Sequence, residues 1–513
     1  MRTLVDAVLQ IAQSAATDEL APAVLIAGCT SNAGKSVLVT ALCAVLRHRG
    51  LRVAPFKAQN MSNNAAVTPD GGEIGRAQYV QAKASGITPS TFLNPILLKP
   101  RSDQRSQLIV HGKPVADVGA RDYFPDRRGL RKLCVEDLQQ LRREYDIVVC
   151  EGAGSPAEVN LRATDISNMG LAAAASIPVI VVGDIDRGGV LAHFVGTYEL
   201  LDDADRELLQ GFIVNKFRGD EALLEPGLVT VEERTGVPVL GVVPFVQGYW
   251  YGAEDSLQAV EGQYVGVPQP AAGTTRLRIA AIRYPRLANA TDLEALSYEP
   301  GVDVYWARHP GEVETADAVV LPGSKDTLAD LQWLRSRGLD KAVTQAGAAG
   351  KMVMGLCGGY QMLGCFLVDE AESVSGLGLL PVKICYASTK TVAEFSGSLV
   401  SLPAGGVQGS AQAVTYPVQG YEIHEGCSTY LDGEPLLNYT DGTPEGCRVG
   451  TVWGTHCHGF FHNDAVRQLW LRHVAQSVGK TGFVLHEPPI SATAVEEAQV
   501  DLLRCAIDHC PAR

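Results

Sequence analysis

A chain of 513 residues is too long for one ordinary hydrophobic core, so two or three domains are expected, and a hydrophobic fraction of 46% is ample for globular folding. A net charge of −14 without a long basic run excludes nucleic acid as the expected partner and reads as solubility. Twelve irregularly spaced cysteines, with no CxxC pair and no secretory leader, argue against a disulfide framework and against structural zinc, and point to a reducing, cytoplasmic setting.

The first twenty residues carry an amphipathic pattern, Leu4, Val5, Val8, Leu9 and Ile11, interrupted by Asp6. No basic region with a long apolar core follows, so a short surface helix is expected, and no membrane span. Ala23-Val24-Leu25-Ile26-Ala27 then reads as a buried strand. It leads into Gly28-Cys29-Thr30-Ser31-Asn32-Ala33-Gly34-Lys35-Ser36 and the apolar helical run VLVTALCAVL. Strand, glycine-rich loop and helix form a phosphate cradle: backbone N–H groups turn inward, Lys35 reaches the β- and γ-phosphates, and the Ser36 hydroxyl ligates Mg²⁺. Five residues separate Gly28 from Gly34 instead of the usual four, so the loop is a variant. Thr30, Asn32 and Gly34 complete the expected ATP cradle.

The strand Asp146-Ile147-Val148-Val149-Cys150 delivers Glu151 at its carboxyl end, where ligands of open parallel sheets gather, so Glu151 is the expected second Mg²⁺ ligand. A third strand over 177–182 ends in Gly183-Asp184-Ile185-Asp186-Arg187. Its acids are candidates for metal or substrate binding or for helix capping, and Arg187 for neutralising a phosphate. A fourth, Gly211-Phe212-Ile213-Val214, leads to Asn215.

Between Ala253 and Thr275 the periodic pattern gives way to Gly, Gln, Pro, Ala and Thr, which marks a linker over 253–275 before the strand 277–282. Strand 318–320 precedes Leu321-Pro322-Gly323-Ser324-Lys325-Asp326. The run Lys351 to Leu356 stops at Cys357 and passes into Gly358-Gly359 and a helix-like segment. A thiol at such a strand-to-helix turn is a nucleophile elbow: the helix dipole favours thiolate, and free backbone N–H groups can hold an oxyanion. About a hundred residues later, Gly454-Thr455-His456-Cys457-His458-Gly459-Phe460 places a histidine at the end of another strand, as base to the cysteine. Alternation sets His456 and His458 against an opposite-facing Cys457, so a catalytic His458 is favoured over a metal cluster. Beyond residue 475 lies a tail, 476–513, with Pro488-Pro489 and a helix around Val495 to Ile507, either packed on the second domain or mobile. The alternation of apolar runs with helix-length segments predicts an α/β fold of two mostly parallel-sheet domains, over 22–252 and 276–475.

GLCGGYQMLG resembles the nucleophile segment of class I glutamine amidotransferases, and GTHCHGFF resembles the histidine segment of their corrinoid-amidating branch. In most class I domains Pro and Glu follow the histidine; here Gly459 and Phe460 do, so the third catalytic group is not identified by spacing. The resemblance implies an oxyanion hole built from Gly323 and Gly358. The N-terminal half resembles dethiobiotin synthetase-type ATPases, in which Asn215 falls at the adenine-reading position. The order of the two halves, and the segments PFKAQNMSNN, GEIGRAQ and NPILLKP, resemble the cobyric acid synthase family over roughly residues 22 to 475.

That resemblance implies ATP, Mg²⁺ and glutamine as reactants, and amidation of the b, d, e and g carboxylates of adenosylcobyrinic acid a,c-diamide. It also implies a shielded ammonia path and a corrinoid pocket drawn from Gln59, Asn60, Asn63, Asn64, Glu73 and Arg76. Two alternatives share the architecture: a cobyrinic acid a,c-diamide synthase, against which those three segments count, and a catalytically silent nucleotide-binding regulator.

Overall fold

The computed structural model describes residues 2–101, 104–123, 127–250, 263–369, 372–400 and 415–513. The chain forms two compact units, one of Met1–Ser62, Thr68–Glu254 and Glu497–Arg513, the other of Asn63–Val67 and Asp255–Glu496.

The first unit is built on a six-stranded sheet of β1 (Ala23–Gly28), β2 (Val53–Phe56), β3 (Ile147–Glu151), β4 (Val179–Asp184), β5 (Leu209–Phe217) and β6 (Val239–Pro244), in the order β6-β5-β4-β1-β3-β2. Every neighbouring pair is parallel. All six residues of β1 are buried, which explains an uninterrupted apolar run where a one-faced strand would alternate. Burying each large aliphatic side chain there contributes about 1.5–3 kcal/mol. The strand order reverses beside β1, and such a switch point opens a crevice at the carboxyl ends.

Helix α1 (Leu4–Gln13) forms as expected, with a Thr3–Asp6 capping box, but it is more than a surface helix. Leu4, Val5 and Val8 are fully buried in one cluster with Leu503, Ile507 and Cys510. The tail therefore joins the first unit from Glu497 onward instead of resting on the second domain. Its end covers the free edge of β6, where Arg513 N donates to Leu240 O at 3.0 Å.

The second unit holds another six-stranded sheet, of β7 (Leu277–Ile282), β8 (Val302–Ala307), β9 (Ala318–Leu321), β10 (Met352–Leu356), β11 (Cys447–Val449) and β12 (Val452–Thr455), in the order β8-β7-β9-β10-β12-β11. All pairings are parallel except the edge pair β11–β12. A long antiparallel ribbon of Val382–Leu399 and Tyr416–Tyr430 accompanies it. Of the expected linker, 253–262 lies outside the described residues. Residues 263–275 run along β8, with Val265 N donating to Val304 O at 2.8 Å.

Candidate active sites

In the first unit, the loop after β1 turns through Asn32 (φ 62°) and Gly34 (φ 94°) into α2 (Lys35–His48). Gly34 is required twice over. Its backbone is left-handed, and a Cβ there would lie 2.2 Å from Asn215 Nδ2. Asn215, at the carboxyl end of β5, donates to Ala33 O at 2.9 Å and so holds the loop from below. Lys35, 7% exposed, donates to Thr30 O at 3.2 Å and Gly154 O at 3.1 Å, so its ammonium lies inside the ring of loop carbonyls.

Glu151 is fully buried at the end of β3 and gathers three donors. Ser36 Oγ donates to Oε1 at 2.7 Å, Lys57 Nζ to Oε1 at 2.7 Å, and Gln81 Nε2 to Oε2 at 2.6 Å. A buried carboxylate costs much free energy unless paired, and Lys57 supplies the charge. Lys57 was not singled out in the sequence, although its place at the carboxyl end of β2 is the same signal that flagged Glu151. Asp184 pairs with Lys216 at 2.7 Å and with Arg187 at 3.6 Å, and Asp186 with Arg218 at 3.6 Å. Neither acid caps the following helix, whose N-cap is Gly189 with no side-chain bond.

The residues expected to form a corrinoid pocket divide. Gln59 accepts from Tyr123 Oη at 2.6 Å and Arg127 at 3.3 Å, and Asn60 donates to Gln78 at 2.9 Å. Glu73 and Lys99 form a buried pair at 2.7 Å, and Arg76 lies 5.3 Å over the Tyr79 ring. All of these lie in the first unit, whereas Asn63 and Asn64 belong to the second. The Asn63 Oδ1 atom is buried without a hydrogen-bond partner among the described residues, and Asn64 Oδ1 accepts from Ala290 N at 3.2 Å.

In the second unit, Cys357 follows the fully buried β10 and heads the short helix Gly358–Leu363 with φ 51° and ψ −111°, a strained backbone for a residue with a side chain. The packing of the turn dictates its glycines. A Cβ on Gly358 would sit 2.8 Å from Ser324 N, and one on Gly359 only 1.9 Å from Leu321 O. Gly359→Ala is therefore expected to cost about 1–3 kcal/mol or more by overpacking against backbone. Thermal melting together with glutaminase assay should show stability and activity falling in parallel.

Gly323 pairs with Ala288 in a two-residue strand, and a Cβ on it would lie 3.3 Å from His458 Cε1. Asp330, fully buried on the helix Thr327–Ser336, ties both sides of this turn: it accepts from Ser324 Oγ at 2.6 Å and from Arg286 N at 3.2 Å. Burial pushes its carboxyl up to about 6.

His458, 1% exposed, pairs through Nδ1 with Asp292 Oδ2 at 2.6 Å, while Gly459 N donates to Asp292 Oδ1 at 2.9 Å. Burial by itself lowers the imidazole pKa. The charges of Asp292 and Cys357, and hydrogen bonds to both side chains, outweigh it and push His458 up to about 10. The structure thus brings Cys357 and His458 together and adds Asp292, which no local pattern had indicated. Asp292 lies on the segment Ala290–Tyr298, separated from His458 by 166 positions. His456 faces Glu445 at 3.3 Å, Gln361 at 3.4 Å and the stacked His424 ring at 3.9 Å.

A buried cysteine with a charged histidine and an orienting carboxylate can attack an amide carbon, and a phosphate loop with a hydroxyl–carboxylate pair can hold a nucleoside triphosphate. Comparison with known proteins agrees with both. Residues 24–255 match the CobQ/CobB/MinD/ParA nucleotide binding domain, and residues 278–466 the CobB/CobQ-like glutamine amidotransferase domain. The two halves define a nucleotide-dependent glutamine amidotransferase, an enzyme of the ligase class.

Among its relatives, the cobyric acid synthase of Rhodococcus jostii (strain RHA1) is 53% identical over 95% of this chain and 93% of its own length. That of Nocardia farcinica (strain IFM 10152) is 51% identical over 94% and 93%, and that of Cutibacterium acnes (strain DSM 16379 / KPA171202) 46% identical over 94% and 97%. The chain belongs to the cobyric acid synthase family.

Proposed function

We propose that this enzyme amidates the b, d, e and g carboxylates of adenosylcobyrinic acid a,c-diamide in succession, using glutamine as nitrogen donor and ATP as activator. The observation that carries the reading is the presence, in one chain of this family, of a Cys357–His458–Asp292 constellation and a Lys35–Ser36–Glu151 phosphate-loop site.

In the glutaminase half, Cys357 Sγ attacks the carboxamide carbon of glutamine. The N–H groups of Gly323 and Gly358 receive the oxyanion; Gly358 opens a helix, where first-turn N–H groups have no intrahelical partner. Imidazolium His458, held by Asp292, gives its proton to the departing ammonia, then takes one from the water that opens the thioester. Glutamate leaves and Cys357 is restored.

In the synthetase half, a corrinoid carboxylate oxygen attacks the γ-phosphorus of ATP, the bond to the β-phosphate oxygen breaks, and ADP departs. Ammonia then attacks the acyl phosphate carbon and inorganic phosphate leaves. Activation is necessary because a bare carboxylate has no adequate leaving group. Lys35 neutralises the phosphates, Thr30, Asn32 and Gly34 line the cradle, and Asn215 contacts the adenine. Ser36 and Glu151 supply hard oxygen donors that suit Mg²⁺, which draws charge from the phosphate oxygens when bound. Lys57 pairs at 2.7 Å with the same Glu151 oxygen that accepts from Ser36, and so brings a cation to the phosphate-loop carboxylate. Gln59, Asn60, Glu73 and Arg76 shape the corrinoid pocket.

Mass spectrometry tests the reading. Adenosylated cobyrinic acid a,c-diamide incubated with the enzyme, glutamine, ATP and Mg²⁺ is expected to show four successive carboxyl-to-amide mass changes. An unchanged corrinoid in a sample that still hydrolyses glutamine would send the search to another polycarboxylate, beginning with cobyrinic acid itself.

A further inference from the structure

The five residues Asn63–Val67 stand apart from their neighbours in sequence. Ser62 and Thr68 on either side belong to the first unit, yet the five themselves belong to the second, with Ala65–Val67 as a buried strand. Their contacts converge on the loop that carries Asp292. Ala65 N donates to Asn289 Oδ1 at 3.0 Å, and Ala290 N donates to Asn64 Oδ1 at 3.2 Å, a reciprocal pair of side chain-to-backbone bonds. Both asparagines are buried, 1% and 3% exposed, so each bond is shielded from water and each lost partner would be left unsatisfied.

Asn289 holds the left-handed conformation, φ 50° and ψ 45°, and its carbonyl accepts from Asp292 N at 3.1 Å. A third bond runs from Tyr421 Oη to Ala65 O at 3.1 Å. The Tyr421 ring stacks on His458 at 5.2 Å and 25°, and its backbone exchanges hydrogen bonds with that of His458 at 2.8 and 3.1 Å. The segment thus touches the frame of the histidine from two sides, through the Asp292 loop and through Tyr421.

We propose that Asn63–Val67 is a positioning strap for the His458–Asp292 pair, and that Asn64 is a positioning residue for glutamine hydrolysis, not a contact to the corrinoid. This deepens the glutaminase reading and rests on it. The physical argument is one of geometry: attack by Cys357 and protonation of ammonia need His458 held within a fraction of an ångström. The aspartate that orients it lies in the first turn of the 3-10 helix Ala290–Tyr298, and the strap ties down the start of that helix through Asn289 and Ala290.

The test uses the full-length enzyme and two nitrogen sources. Ammonium chloride bypasses Cys357 and His458, so ammonia-driven amidation reports the synthetase half and the fold together. Asn64→Ala is expected to lower kcat of glutamine-driven amidation by about 10- to 100-fold, with KM for glutamine and ammonia-driven amidation unchanged. Asn289→Gly, which keeps the left-handed backbone accessible and removes the other acceptor, should reproduce that split.

Equal loss of both activities in variants that still melt cooperatively would overturn the proposal and return Asn64 to the substrate pocket. Full glutamine-driven activity in both variants would overturn it as well. If Asn64→Ala does not fold, Asn289→Gly decides alone. A Cys357→Ser control that still hydrolysed glutamine would mark failure of the glutaminase reading itself, not of the strap.

Discussion

Cys357→Ser is expected to lower glutamine hydrolysis and glutamine-driven amidation by about 10³-fold or more, while ammonia-driven amidation persists. The thiol sits at the head of a helix and within hydrogen-bonding reach of the His458 imidazole, which is pushed up to about 10. A serine hydroxyl has no comparable access to its anion. Cys357 is itself one of the groups that raise the His458 pKa, so the variant loses that contribution, and its serine hydroxyl must still give up a proton before it can attack. Steady-state assay of glutamate release and of ammonia-driven product on the same preparation separates loss of the nucleophile from loss of fold. Retained glutaminase turnover in this variant would show that another residue attacks glutamine. Loss of turnover, with the synthetase half intact, would also dispose of a catalytically silent regulator.

Asp292→Asn should be nearly as severe for the glutamine-driven reaction, about 10²- to 10⁴-fold in kcat, again with ammonia-driven amidation spared. The amide can no longer stabilise the imidazolium and can hold the ring in the wrong tautomer. The groups acting on His458 are Asp292 and Cys357, which raise its pKa together against burial. Removing the Asp292 charge lowers it. The alkaline limb of the pH profile for glutamine hydrolysis is therefore expected to move to lower pH in the variant. In the native enzyme the folded pKa lies above the unfolded value. The stability that His458 contributes is thus complete below about 6.5 and fades as pH rises through about 10. An alkaline limb that stayed in place would assign that titration to a group other than His458.

What could be read from the sequence was local. The phosphate loop announces itself because strand, glycines, Lys35, Ser36 and helix are contiguous, and the elbow because β10, Cys357 and its two glycines are contiguous as well. Asp292 could not be chosen, since its tie to His458 spans 166 positions and depends on where a 3-10 helix folds back. The same holds for Asn64, which in sequence is one polar residue among several and in the structure binds a backbone N–H 226 positions away. Lys57 was legible in principle, and its neighbours at the carboxyl ends of the strands were the cue. Gln59, Asn60 and Glu73 show the same limit: residue type suggests a ligand pocket, but no spacing rule reveals Tyr123, Gln78 and Lys99, the partners that hold them in place.

The seam between α1, β6 and the chain's end bears on how the protein is made. Leu4 N donates to Cys510 O at 2.9 Å and Ala512 N to Arg2 O at 3.0 Å, while Leu503 and Ile507 bury themselves against Leu4, Val5 and Val8. A ribosome that has released residues 1 to 254 has therefore not yet supplied everything the first unit needs. Until residues 497–513 emerge, the apolar face of α1 and the edge of β6 stand uncovered, and the second unit is complete in the nascent chain before the first can close. Nucleotide binding should accordingly be acquired late in synthesis, and stalled chains of intermediate length should be the ones that engage chaperones.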